Sequence, residues 1–163
     1  MRDDEVRAVV LLPILVIAAA TAYQGFFPKR TGETFSELAI LGPNMKLADY
    51  PRELRVNENF TLYLYVGNHE GEVAYYAILV KLGNSSDFIN ETFSMDAPIV
   101  ARYERVMMDN ETWIHPVNLS VNTTGVNLRL VFEMWIYSDA ANGFNYHGRW
   151  NQLWLNVTAP KPP

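Results

Sequence analysis

Seven asparagines in this chain stand two residues ahead of a Ser or Thr, with no proline between: Asn59, Asn84, Asn90, Asn110, Asn118, Asn122 and Asn156. That spacing is the acceptor pattern for N-linked glycosylation, in which the side-chain amide nitrogen carries the sugar. With this content of Asn, Ser and Thr, random placement would give about one such match. The excess is confined to the part of the chain after residue 58. It therefore places that part outside the cell, carrying covalent N-glycans.

Other chemistry is sparse. His69, His115 and His147 have neither H-x-H nor H-x-x-x-H spacing, so a shared metal site would have to be assembled by folding alone. The run Asn68-His69-Glu70-Gly71 reads as a turn, with Asn68 and Gly71 tolerating positive φ and His69 and Glu70 at its solvent tip. No G-x-S-x-G, phosphate loop or glycine-rich cofactor fingerprint occurs. The Asp139 loop offers too few oxygens in EF-hand register for calcium. The chain has no cysteine, which excludes disulfides, thiolate zinc sites and cysteine nucleophiles. Its net charge of −5, without a Lys/Arg cluster, argues against nucleic acid as a partner. The expectation is a protein that is not an enzyme, with no catalytic residue, no metal and no cofactor.

The elements that must carry these residues begin with an uncharged stretch, residues 8–27, AVVLLPILVIAAATAYQGFF. At about 1.5 Å of rise per residue it spans a hydrocarbon layer of about 30 Å, which predicts a single transmembrane helix in contact with the lipid bilayer. Tyr23, Phe26 and Phe27, followed by Lys29 and Arg30, suit a membrane boundary. The same stretch also fits a cleaved signal peptide, with Ala20-Thr21-Ala22 resembling its cleavage site. Arg2 and Arg7 before the helix balance Lys29 and Arg30 after it, so charge does not orient the span. The sequons do. The expected organisation is a cytoplasmic N-terminus (1–7), the transmembrane helix (8–27), a stem (28–34), an extracellular domain (35–159) and a Pro-rich tail (160–163).

From Phe35 onward, short alternating apolar runs are separated by turn residues, the pattern of an all-β domain. Seven strands are predicted: Glu37–Leu41, Asn59–Val66, Val73–Leu82, Ile99–Met108, Trp113–Val121, Val126–Tyr137 and Leu153–Thr158. Their number and spacing suggest an immunoglobulin-like or fibronectin-like β-sandwich. Side chains alternate faces along a strand, and a glycosylated Asn must face solvent. With Asn59 outward, Thr61, Tyr63 and Tyr65 follow it, leaving Phe60, Leu62, Leu64 and Val66 inward. With Asn156 outward, Trp154 and Gln152 follow, while Leu153, Leu155 and Val157 turn in. Leu128, Leu130 and Phe132 are expected inward against Arg129 and Glu133, and Trp135 in the core.

The run from Phe35 to Leu82, with Leu41-Gly42-Pro43, Tyr50-Pro51 and Asn68-His69-Glu70, followed by the late WNQLWLNVTAP strand, resembles the archaeal membrane proteins grouped as domain-of-unknown-function family 1616. The resemblance covers about residues 35–159. It implies an extracellular, β-rich, membrane-tethered protein and no biochemical activity. Some members carry several membrane helices, whereas this chain shows one span.

Large rings are the remaining functional signal, because they offer contact area at low entropy cost. Tyr63, Tyr65 and Trp154 are expected at the surface as a partner interface. The leading expectation is a single-pass cell-membrane glycoprotein whose ectodomain packs against protein subunits of a cell-surface or membrane assembly. One alternative is a carbohydrate- or ligand-binding module with Trp150 and Trp154 as stacking residues. Another is a filament subunit joined by strand addition at Glu37–Leu41.

Overall fold

Alternation of apolar and polar residues is what a strand needs to bury one face, and eight strands form in the computed structural model of the protein, which describes Val16 and residues 33–159. They are β1 (Phe35–Leu41), β2 (Glu53–Arg55), β3 (Asn59–His69), β4 (Ala74–Gly83), β5 (Ile99–Met107), β6 (Thr112–Ser120), β7 (Gly125–Ser138) and β8 (Gly143–Thr158). Apart from Val16, the expected membrane span lies outside the described residues, as do residues 1–7, most of the stem and the tail. Among the described residues, no helix is long and apolar enough to cross a membrane.

The strands form two sheets, a three-stranded one in the order β1-β3-β6 and a five-stranded one in the order β2-β8-β7-β4-β5. All neighbours are antiparallel except β2, which runs parallel to β8. Between the sheets, Leu62, Leu64 and Val66 of β3 meet Tyr76, Ile78 and Val80 of β4 and Leu130, Phe132 and Met134 of β7 in one buried cluster. The inward set expected on β3 is therefore observed, with Phe60 packed at its margin. Leu155 and Val157 are likewise buried, and Leu153 packs beside them.

Two strand expectations are corrected. The three-residue β2 was not predicted, and β8 begins at Gly143 rather than Leu153. A register shift opposite Glu133–Trp135 interrupts the alternation that would have marked the longer strand. Gly148 lies in this irregular stretch with φ +82°, a left-handed conformation that side chains resist.

A third layer covers part of the outer face of the five-stranded sheet. The β4–β5 connection, residues 84–98, places Ile89 and Met95 against Val131, with Trp150 alongside. Gly148 permits the approach, because a Cβ there would lie 2.4 Å from Glu91 O. Beneath this segment Lys81 Nζ sits 3.0 Å from Glu133 Oε2, and both side chains are buried. Each also clamps Met95: Lys81 Nζ donates to its carbonyl at 2.6 Å, and its N–H donates to Glu133 Oε1 at 2.6 Å. Glu133 thus faces away from the inter-sheet core, as expected, yet it is fully buried. Trp135 is not a core residue. It lies half-buried on this outer face, its indole N–H donating to Glu133 Oε2 at 3.1 Å.

Candidate functional site

The richest cluster of chemistry-bearing side chains joins four strands. Ser36 of β1 stands directly opposite Asn68 of β3, and both are fully buried. Ser36 Oγ donates to Glu70 Oε1 at 2.5 Å and lies 2.8 Å from the Tyr76 hydroxyl and 3.2 Å from His147 Nε2. The Tyr76 hydroxyl also donates to Asn68 Oδ1 at 3.1 Å. Asn68 Nδ2 then donates to the carbonyls of Glu72, Met107 and Met108, at 2.9, 3.1 and 3.0 Å. Burial pushes the Tyr76 hydroxyl above its ordinary pKa, although Ser36 opposes the shift.

A Ser, a His and a Glu in contact raise the question of nucleophilic catalysis. A relay needs the hydroxyl on one imidazole nitrogen and the acid on the other, so that the acid orients the ring while the far nitrogen takes the proton. Here His147 Nε2 faces both Ser36 Oγ and Glu70 Oε1, the latter at 3.4 Å, and the buried Nδ1 has no partner among the described residues. Ser36 is wholly enclosed. The arrangement ties β1, β3, β4 and β8 together. It also corrects the reading of Asn68-His69-Glu70-Gly71: only Gly71 has positive φ, Asn68 is a buried strand residue, and Glu70 turns inward to Ser36. Ser36, Tyr76 and His147 are far apart in sequence, and no local spacing announces them.

Tyr63 and Tyr65 lie on the outer face of the three-stranded sheet. Tyr63 is flanked by Leu41 of β1 and Pro116 of β6, and Tyr65 by Ala39 and Ile114, so two cross-strand rows form one apolar and aromatic stripe. Tyr65 is pinned at one end by Glu37, whose Oε2 accepts its hydroxyl at 2.9 Å, and this bond together with burial raises the hydroxyl pKa. Beyond Tyr63 on the same face stand Asn59 and Asn118, the latter accepting from Thr61 Oγ1 at 2.7 Å.

Trp154 is elsewhere. It pairs with Arg129 across β7 and β8 on the outer face of the five-stranded sheet, 41% exposed, so the three expected interface residues do not share a surface. The Arg129 guanidinium carbon lies 5.4 Å from the Trp150 ring and 5.5 Å from the Trp154 ring, occupying a face of each. Beside Trp154 runs an open groove of about 670 Å³, lined by Tyr50, Arg52, Glu53, Asn127 and Gln152 among others. A further ring cluster, Tyr75, Tyr137 and Phe144, was not anticipated. Its centroids lie 4.9 to 6.0 Å apart, with Arg102 5.1 Å over Phe144. Strand alternation around the β7–β8 hairpin could have pointed to Tyr137.

The sequon asparagines differ in freedom. Asn59, Asn84, Asn110, Asn118 and Asn122 are exposed, while Asn90 and Asn156 are half-buried. Asn156 is committed on both sides of its amide: Nδ2 donates to Glu53 Oε1 at 2.8 Å, and Oδ1 accepts from Asn127 N–H at 2.9 Å.

Edge strands decide where a sheet can be extended. On β1 two outward carbonyls are already used, Leu38 O by Asn151 Nδ2 at 2.9 Å and Ile40 O by the Tyr50 hydroxyl at 2.7 Å. This blunting weighs against the filament alternative built on Glu37–Leu41.

Against known proteins, a family model described as Domain of unknown function (DUF1616) matches residues 28–156. No curated protein matches. Among solved structures, the CARDB domain of a Pyrococcus furiosus protein, crystallised in complex with di-metal ions, is 10% identical, with 81% of this chain and 99% of that chain covered and a TM-score of 0.47. The complex of zinc 2-glycoprotein and prolactin inducible protein from human seminal plasma includes a chain 12% identical, with 80% and 100% covered and a TM-score of 0.46. A Listeria innocua beta-glucosidase is 12% identical over 80% of this chain and 18% of its own, with a TM-score of 0.40.

Proposed function

The chain belongs to the DUF1616 family, and from that premise we propose that its β-domain is the outward part of a membrane-tethered, N-glycosylated interaction subunit, which packs against protein subunits of a cell-surface or membrane assembly. The observation that carries this reading is the stripe in which Tyr63 and Tyr65 stand between Leu41, Ala39, Ile114 and Pro116 on a sheet face that no other described element covers. Half-buried tyrosines in an apolar row supply rigid area and a polar tip, the composition of interface anchors. The tether at residues 8–27 and the seven sequons support the extracellular, single-pass placement. The strand order β1-β3-β6 against β2-β8-β7-β4-β5 supports an immunoglobulin- or fibronectin-like sandwich. No catalytic role is assigned, because Ser36 is enclosed and, among the described residues, no acid orients His147 at Nδ1.

The test is the size of the native complex extracted in mild detergent. The wild-type chain is expected in a particle larger than its own homo-oligomer, and Tyr63→Ser with Tyr65→Ser is expected to release it. A wild-type chain free of other subunits, or a double variant still in the large particle, overturns the reading.

A second reading rests on the Trp154 groove, where Arg52, Glu53, Asn127 and Gln152 supply polar groups beside an indole, the composition of a carbohydrate subsite. Binding to a glycan array that Trp154→Ala abolishes would support it. An array without hits removes it.

A further inference from the structure

Among the described residues, four strands have a free edge, and three of them are unsuited to pairing. β1 has its Leu38 and Ile40 carbonyls taken by Asn151 and Tyr50, β2 is three residues long, and β6 carries Pro116 at its centre. β5 differs on each count. It runs for nine residues without proline, with a β-bulge at Val100 near its start, and no side chain among the described residues bonds to the backbone of residues 99–106. It displays Ile99 (54% exposed), Val100 (46%) and Val106 (58%), and none of the seven sequons lies on it. A long edge of this kind, apolar at both ends, is a template for another strand.

Its sequence says which strand. Residues 100–106 read Val-Ala-Arg-Tyr-Glu-Arg-Val. When two copies are laid antiparallel about Tyr103, Arg102 falls opposite the second copy's Glu104 and Glu104 opposite its Arg102. Ala101 meets Arg105 on the inner face, and the regular pairing ends at the bulge at Val100. Every charge on the outer face of this regular stretch has an opposite charge across from it. Arg105 is already engaged by Glu111 at 2.6 Å and lies 5.8 Å from the Trp113 ring, and it meets no second cation. Slipping the pairing by one residue centres it between residues 102 and 103 or 103 and 104, and turns each side chain against one of the opposite face.

We propose that β5 is a homodimerisation edge, joining two copies of this chain through an antiparallel β5–β5 pair centred on Tyr103, so that their five-stranded sheets become one continuous sheet about a two-fold axis. Within each copy Arg102 already contacts Glu104, the Tyr75 hydroxyl donates to Glu104, and Arg102 lies over Phe144. These contacts hold both charges on the outer face, where the second copy needs them. The dimer rests on the interaction-subunit reading but uses the other sheet, and it leaves Tyr63 and Tyr65 free for a different subunit.

The experiment is sedimentation of the full chain in detergent, over a range of concentrations, for the wild type, R102E, E104R and an equimolar mixture of R102E with E104R. The wild type is expected to dimerise. Each single variant opposes like charges twice and is expected to dimerise roughly tenfold more weakly or worse. The mixture restores opposite pairs, because on the outer face two acidic residues meet two basic ones, and is expected to form heterodimers. That recovery requires both variants to be folded, so misfolding cannot imitate it. A monomeric wild type, variants that dimerise as the wild type does, or a mixture that stays monomeric overturns the proposal. Failure here with a Tyr63-dependent complex intact would leave the interaction-subunit reading standing.

Discussion

Lys81 and Glu133 form a buried ion pair on the outer side of the five-stranded sheet, Nζ to Oε2 3.0 Å, and the backbone of Met95 bonds to both. Burying two charges is costly, and the pair is tolerated because Met95 and Trp135 supply further hydrogen bonds to it. Removing one partner strands the other. Lys81→Met or Glu133→Gln should each cost about 3–5 kcal/mol in urea unfolding, whereas Lys81→Met with Glu133→Leu should cost much less than the sum. Additive losses would show that the charges do not act as a pair.

Gly148 lets residues 84–98 rest on the sheet. In Gly148→Ala the new Cβ meets Glu91 O at 2.4 Å while φ is +82°, so the backbone must move on both accounts. The expected loss is about 2 kcal/mol, read as a lowered melting temperature, with faster proteolysis within residues 84–98. An unchanged melting temperature would mean that this segment contributes little to the fold.

Tyr146 gives the domain an alkaline limit. Burial, then the Glu133 and Glu91 carboxylates, push its hydroxyl from 10.0 up to about 12. The unfolded chain therefore loses this proton first as pH rises. The stabilisation is complete below pH 10 and is lost between pH 10 and about 12, where unfolding releases a proton that the folded state retains. Tyr146→Phe should flatten that part of the stability profile. A variant with the same alkaline slope as the wild type would assign the loss to other groups.

Glycan occupancy should follow amide freedom. Peptide mapping of protein from its native source is expected to find sugar on the exposed Asn59, Asn118 and Asn122, and none on Asn156, whose Nδ2 is donated to Glu53. Occupancy of Asn156 equal to that of Asn59 would contradict this ranking.

Much of the core was legible because a period of two is a local signal: Leu62, Leu64 and Val66 follow from the position of Asn59 alone. What was not legible depends on distant partners or broken periods. The first ten residues of β8 read as loop, because the irregular stretch around Gly148 disrupts alternation and the segment is rich in Gly and Asn. β2 is too short to display a period. The outward direction of Glu133 was legible, but not its burial, since only folding brings Met95 over it. The surface stripe was half legible. Parity placed Tyr63, Tyr65 and Trp154 outward, but sheet order, which sequence alternation does not contain, puts Trp154 on the opposite sheet.

The most direct test of the interaction-subunit account is photo-crosslinking of the full chain in its native membrane, with a photoreactive phenylalanine analogue at position 63 and, as control, at the exposed position 126. The account predicts an adduct between position 63 and a polypeptide other than this chain, and none from position 126. No adduct at position 63, or equal labelling from both positions, would contradict it.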